Sequence, residues 1–205
     1  RDRWVYIPGG TFMCGADLPS AMPPREEDVA GFLINRFPVT AGDFAMMRDE
    51  TTDGDPQLPA TGLTWAEAAE SARWLTERHG VLHSLPTLLQ WEKAARGVDG
   101  RAYPWGDRFD AMLCRIRASR AGRPSPVAVG TYVQDASVYG VRDLAGLVRE
   151  WCVDQIGGDP NARPTKGGTW KSGPAGCAAA AFELLDGDLA DDQTGFRLVR
   201  PLPRG

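Results

Sequence analysis

Apolar positions from Trp4 to Cys14 fall in two short runs split by Pro8, Gly9 and Gly10, which predicts two strands joined as a hairpin over 4–14. Residues 17–30 are polar and proline-rich and read as a loop. The run from Phe32 to Phe37 reads as a further strand that stops at Pro38. The period then changes to helical. Thr40 stands three residues before Asp43 and opens a short helix through Met47. Thr64 and Glu67 form a capping box, followed by Trp65, Ala68, Ala69, Ala72 and Leu75 at helical spacing until Gly80. Thr87 and Gln90 open a third helix that reaches Arg96 and closes at Gly97. Beyond Val98 short apolar runs alternate with Gly, Pro and Asp, the signature of strands and long loops. The expected class is α+β, with helices in the first half and an irregular antiparallel sheet.

Composition sharpens this picture. A chain of 205 residues with 42% hydrophobic content can bury a sizeable core, and one domain over 1–205 is the simplest organisation. Seven Trp, 24 Gly and 16 Pro favour a loop-rich fold with aromatic anchors over a helical bundle. A net charge of −4, with basic residues scattered rather than striped, argues against a nucleic-acid partner. No apolar run approaches the roughly 20 residues of a membrane-spanning helix, and no membrane partner is expected. There is no charged-then-apolar signal peptide pattern. The chain starts at Arg1 and enters a structured motif by Trp4, which suggests a domain taken from a longer polypeptide. Cys14, Cys114, Cys152 and Cys177 are widely spaced, as expected of ordinary thiols in a reducing, cytoplasmic compartment.

Several blocks of residues, taken together, resemble one known family. They are Trp4 to Phe12, Phe37 to Thr40, Leu85 to Gly97, Tyr103 to Asp107, Pro126 to Gly130, Tyr139 to Gly146, Arg149 to Trp151, Gly167 to Trp170 and Gly195 to Arg197. Their order and spacing are similar to those of the formylglycine-generating enzymes, or sulfatase-modifying factors, across nearly the whole chain. The resemblance implies a C-type-lectin-like fold whose long loops form the ligand surface. Trp91, Trp105, Trp151 and Trp170 each bring an apolar face and one N–H donor, which suits a core that must pin loops.

The resemblance also implies a chemistry that this sequence departs from. The family enzyme binds copper(I) between two thiolates five residues apart. Here the second maps to Cys177 but the first to Ser172, a hard neutral oxygen, so oxygen activation at this site should fail. The expectation is that no cofactor is bound, with Cys177 and Glu150 as vestigial metal-ligand positions. A second branch of the family uses three histidines on iron; this chain has only His79 and His83, read as partly exposed loop residues at a helix end. In the family's calcium loop, Leu147 removes an oxygen ligand and Arg149 adds positive charge, so Glu150 is expected to pair with an arginine. A second calcium loop maps near Cys114 and Arg115 and lacks its Asn. Gly122 to Pro126 reads as a turn-rich loop, and Asp186 to Asp192 as a solvated acidic loop.

With the reactive centre dismantled, the stretch between Trp170 and Thr194 becomes the candidate surface. In the family it lines the pocket, and in retroelement-diversified relatives it is the varied segment. The candidate ligand-binding residues are Trp170, Lys171, Ser172, Pro174, Cys177, Phe182, Glu183, Asp186, Asp188, Asp192 and Gln193. Phe182, Leu184 and Leu185 read equally as exposed anchors or strand core. The expected function is a non-catalytic recognition module for a protein or peptide, or for another domain of the same protein. It is similar to versions attached to bacterial serine/threonine kinases, conflict-system proteins and retroelement variable proteins. The alternatives are a metal-dependent oxidase with altered ligands and a structural or oligomerising domain.

Overall fold

The computed structural model describes residues 3–119 and 124–203. The Gly122 end of the expected turn-rich loop lies outside the described residues. Strand β1 (Trp4–Ile7) and strand β2 (Gly10–Cys14) do not form the expected hairpin with each other. Instead β1 pairs antiparallel with β4 (Phe32–Asn35), and β2 with β3 (Arg25–Val29). The register Trp4↔Asn35, Ile7↔Phe32, Gly10↔Val29 and Cys14↔Arg25 runs on without a slip. Residues 4–14 are thus one strand line bent at Pro8–Gly9, lying along a second line, 25–35, bent at Ala30–Gly31. The bends cross closely: a Cβ on Gly9 would lie 2.8 Å from the Gly31 backbone nitrogen. That crossing, not a turn, is why glycine stands there.

Strand β3 also corrects the loop expected over 17–30. Its residues Arg25 to Asp28 are polar because the two-stranded ribbon leaves them exposed or half-exposed, so backbone pairing makes the strand without apolar alternation. The three helices are where capping predicts them. Helix α1 (Ala41–Met47) is capped by Thr40, α2 (Trp65–His79) by the reciprocal Thr64–Glu67 box, and α3 (Leu88–Arg96) by the reciprocal Thr87–Gln90 box. Gly80 ends α2 in the left-handed conformation, φ +66°.

In the second half, β5 (Arg149–Trp151), β6 (Ala162–Lys166), β7 (Phe182–Asp186) and β8 (Thr194–Gly195) form a sheet in the order β7-β6-β5-β8. Strand β9 (Val199–Pro201) returns to β4, completing a sheet β1-β4-β9.

Buried ion pairs hold these parts together. Both oxygens of Glu92 on α3 are used, one by Arg96 at 2.9 Å and the other by Lys166 of β6 at 2.8 Å. Glu150 of β5 receives Arg197 Nε at 2.6 Å and Nη2 at 2.7 Å, together with Trp91 Nε1 at 2.7 Å. Glu150 and Arg197 are both fully buried.

Candidate functional site

The segment after β6 begins at Gly167, held at φ +81°, and Gly168, which packs too tightly for any side chain. A Cβ on Gly168 would lie 2.6 Å from the Ala145 carbonyl oxygen and 2.7 Å from Cys177 Sγ. Thr169 and Ser172 then close a turn, with the Thr169 N–H donating to Ser172 Oγ at 2.9 Å. Thr169 Oγ1 reaches Gln193 Oε1 at 3.2 Å, and Trp170 Nε1 reaches the Asp192 carbonyl at 3.2 Å. Lys171 Nζ sits 4.2 Å from the centre of the Trp170 ring and 2.9 Å from Asp192 Oδ1. Trp170, Lys171, Ser172, Asp192 and Gln193, apart in sequence, therefore form one knot.

The other candidates part company. Pro174 is exposed on a short 3₁₀ turn, Pro174–Cys177, whose last residue is buried. Phe182 is half-buried against the core around Trp91, Leu185 against the core around Trp151, and Leu184 points outward with 45% exposure. The choice between anchor and core thus splits residue by residue. Asp186 and Asp188 make a separate exposed node through Asn161 Nδ2, at 2.6 Å and 3.4 Å. Glu183 joins the knot through Arg149, which reaches Glu183 at 3.2 Å, Asp191 at 2.7 Å and Thr194 Oγ1 at 3.0 Å. Sequence reasoning missed Arg149 as the clamp of this surface. Its signal was a partly apolar segment rich in carboxylates that needed a cation. The exposed side chains Glu183, Asp186, Asp188 and Asp192 outnumber Arg149 and Lys171, the cations paired with them, so the surface is acidic.

Beneath it lies a sulfur pair that the sequence did not join. Cys114 and Cys177 share one buried cluster, and the neighbouring Cys177 thiol together with burial pushes Cys114 well above the ordinary thiol range. Both sit in a cluster with Ile116 and Ala145, roofed by Tyr103, Trp105 and Phe109. Tyr103 and Trp105 stack at 5.5 Å. Cys177 donates to the Gly173 carbonyl at 3.4 Å. The family's copper(I) pair does not fit at 172 and 177. The Ser172 hydroxyl is engaged with Thr169, and Cys177 is 1% exposed. All four cysteines are free and buried.

The calcium positions are likewise filled from within. Glu150 spends its oxygens on Arg197 and Trp91, while Arg115 donates to the Ser125 and Ile116 carbonyls. The histidines need a correction: His79 ends α2 exposed, but His83 is only 4% exposed, because Ser84 bridges Val199 and draws it under Trp4.

The model of the sulfatase-modifying factor enzyme 1-like domain matches residues 1–202. This chain belongs to that family. Among its relatives, the inactive C-alpha-formylglycine-generating enzyme 2 of Bos taurus is 26% identical, the alignment covering 94% of this chain and 86% of the bovine protein. The formylglycine-generating enzyme of Thermomonospora curvata is 27% identical over 94% of this chain and 91% of its own. The serine/threonine-protein kinase Pkn1 of Chlamydia trachomatis serovar L2 is 32% identical over 82% of this chain but only 33% of the kinase. Treponema denticola variable protein 1 superposes with a TM-score of 0.83 at 17% identity, covering 97% of this chain and 95% of that one. The sulfatase-modifying factor domain seen here has the C-type-lectin-like α+β fold that the sequence blocks imply. Trp91, Trp105, Trp151 and Trp170 pin it as expected, each N–H donating to a carbonyl or, for Trp91, to Glu150.

Proposed function

We propose that this sulfatase-modifying factor domain is a non-catalytic recognition module that binds a basic protein or peptide segment on the acidic face formed by β7 and the 170–193 segment. The observation that carries the reading is the self-satisfied centre beneath that face. A serine stands where a thiolate is required, its hydroxyl is hydrogen-bonded to Thr169, and Cys177 is buried against Cys114 under aromatic rings. What remains on the surface is an exposed edge strand with Leu184 at its centre and Glu183, Asp186, Asp188 and Asp192 around it. Opposed charge steers and selects a partner more than it adds affinity, and an apolar residue inside a charged rim is the usual anchor. Similarity to an inactive formylglycine-type relative and to a segment of a kinase supports the reading.

The test is affinity capture from bacterial lysate, followed by reconstitution with the purified partner. The Glu183→Lys/Asp188→Lys variant should lose the partner and keep its Tm, since exposed ion pairs are worth about 1 kcal/mol or less. Conversion of a cysteine to formylglycine in a sulfatase-type peptide by the purified domain would overturn the proposal.

The Cys114–Cys177 contact favours a second reading, a metal-dependent oxidase in which Cys114 replaces the missing thiolate. Copper(I) titration separates the two. One tight ion per chain, lost in both Cys177→Ala and Cys114→Ala, supports the second reading. No binding supports the first.

A further inference from the structure

A cleft of about 310 Å³ opens between the end of the β1-β4-β9 sheet, α1 and the last turn of α2. It shares no residue with the acidic face, so a ligand in the cleft is independent of the function proposed for that face. Its walls mix polar and apolar groups, with Trp4, Phe37, Met47 and Leu75 among the apolar ones. The Trp4 ring lies 5.5 Å from that of His83 and is backed by the Arg200 guanidinium at 4.7 Å.

Two buried polar groups line this cleft with one end unused. His83, 4% exposed, has Nδ1 at 2.7 Å from the Val81 carbonyl. A carbonyl only accepts, so Nδ1 carries the proton and Nε2 presents a lone pair. Burial lowers the His83 pKa and keeps the ring neutral. Asn35, 6% exposed, accepts the Leu198 N–H on Oδ1 at 3.0 Å, which leaves its NH₂ as donor. Among the described residues neither His83 Nε2 nor Asn35 Nδ2 makes a hydrogen bond. Strand pairing brings them to one end of the sheet: Trp4 is the register partner of Asn35, and Ser84 bridges Val199, next to Leu198.

Buried polar groups are satisfied in folded proteins, by protein or by what binds there. Here the two groups open onto the cleft and offer it one donor and one acceptor, beside an Arg3 already paired with Asp43 at 2.6 Å. We propose that the cleft binds a small neutral aromatic of the phenol class. Its ring lies among Trp4, Phe37 and Leu75, and its hydroxyl donates to His83 Nε2 while accepting from Asn35 Nδ2. A single phenol oxygen supplies both halves of the pair, whereas a hydrocarbon supplies neither and a carboxylate meets a lone pair on His83.

The test compares p-cresol with toluene on the whole chain by calorimetry, and follows the His83 ring nitrogens by ¹⁵N NMR. p-Cresol is expected to bind at least about tenfold more tightly, because toluene would displace water from His83 Nε2 and Asn35 Nδ2 and leave both unpaired. His83 Nε2 should shift on adding p-cresol, and His83→Leu should abolish the preference. The ring shift needs no variant, so misfolding of His83→Leu leaves the proposal testable. Equal binding of the two probes, no saturable binding of p-cresol, or binding without a His83 shift overturns it.

Discussion

Replacing Glu150 by Gln probes the charge balance at the centre of the fold most directly. Glu150 and Arg197 are both fully buried, and the carboxylate takes Arg197 through both oxygens at 2.6 and 2.7 Å. The guanidinium also donates to the Asn35 and Arg142 carbonyls, so it cannot swing out to water without opening the join between β4 and the 142–150 segment. Glu150→Gln leaves the shape, removes the charge, and turns an NH₂ toward one of the Arg197 or Trp91 donors. Breaking a buried pair from one side costs about 3–5 kcal/mol, because an uncompensated charge stays behind. For a chain of this size each kcal/mol is worth about 2–4 °C, so Tm should fall by about 6–20 °C. The assay is urea and thermal unfolding followed by tryptophan fluorescence, which Trp91 reports through its bond to Glu150. The double variant Glu150→Met/Arg197→Met, having no orphaned charge, should recover most of the loss. A single-variant loss under about 1 kcal/mol would mean that the pair is solvated like a surface pair, and would refute a desolvated charge at the core.

The same geometry sets four further outcomes. Adding calcium or a chelator should leave Tm unmoved, since both oxygens of Glu150 are spent on Arg197 and Trp91; a calcium-dependent rise would contradict that. Burial and the neighbouring Asp143 raise Asp135 to about 7, so the folded state holds this proton longer than the unfolded chain. Its contribution to stability must therefore fall as pH rises from the ordinary carboxylate range to about 7, and Asp135→Asn should flatten that part of the stability–pH curve relative to the parent. All four thiols are buried and should resist a thiol-modifying reagent in the folded protein, reacting together on unfolding; fast labelling of Cys177 in native buffer would show an open centre. Thr64→Ala removes one half of the α2 capping box and should cost about 1 kcal/mol by chemical denaturation.

What the sequence determined by itself was local or carried by whole blocks. A helix start is written in four consecutive residues, so Thr40, Thr64 and Thr87 could be read as caps without knowing what packs on them. The tryptophan and glycine blocks identified the family and its fold because each serves a loop whose geometry only those residues accept. Ser172 at a thiolate position needed no coordinates either. Tertiary structure decided everything that depends on partners far along the chain. Strand pairing gives no local sign of which line a bent strand joins, so residues 4–14 read as a hairpin and the polar β3 as loop. Cys114 and Cys177 are 63 positions apart and meet only through the fold. Arg149 read only as added positive charge in a degraded calcium loop until β7 and residues 191–194 came to either side of it. His83 read as a loop residue until the Ser84–Val199 bridge buried it beneath Trp4. Burial and charge pairing are properties of distance in space, and the sequence records distance only along the chain.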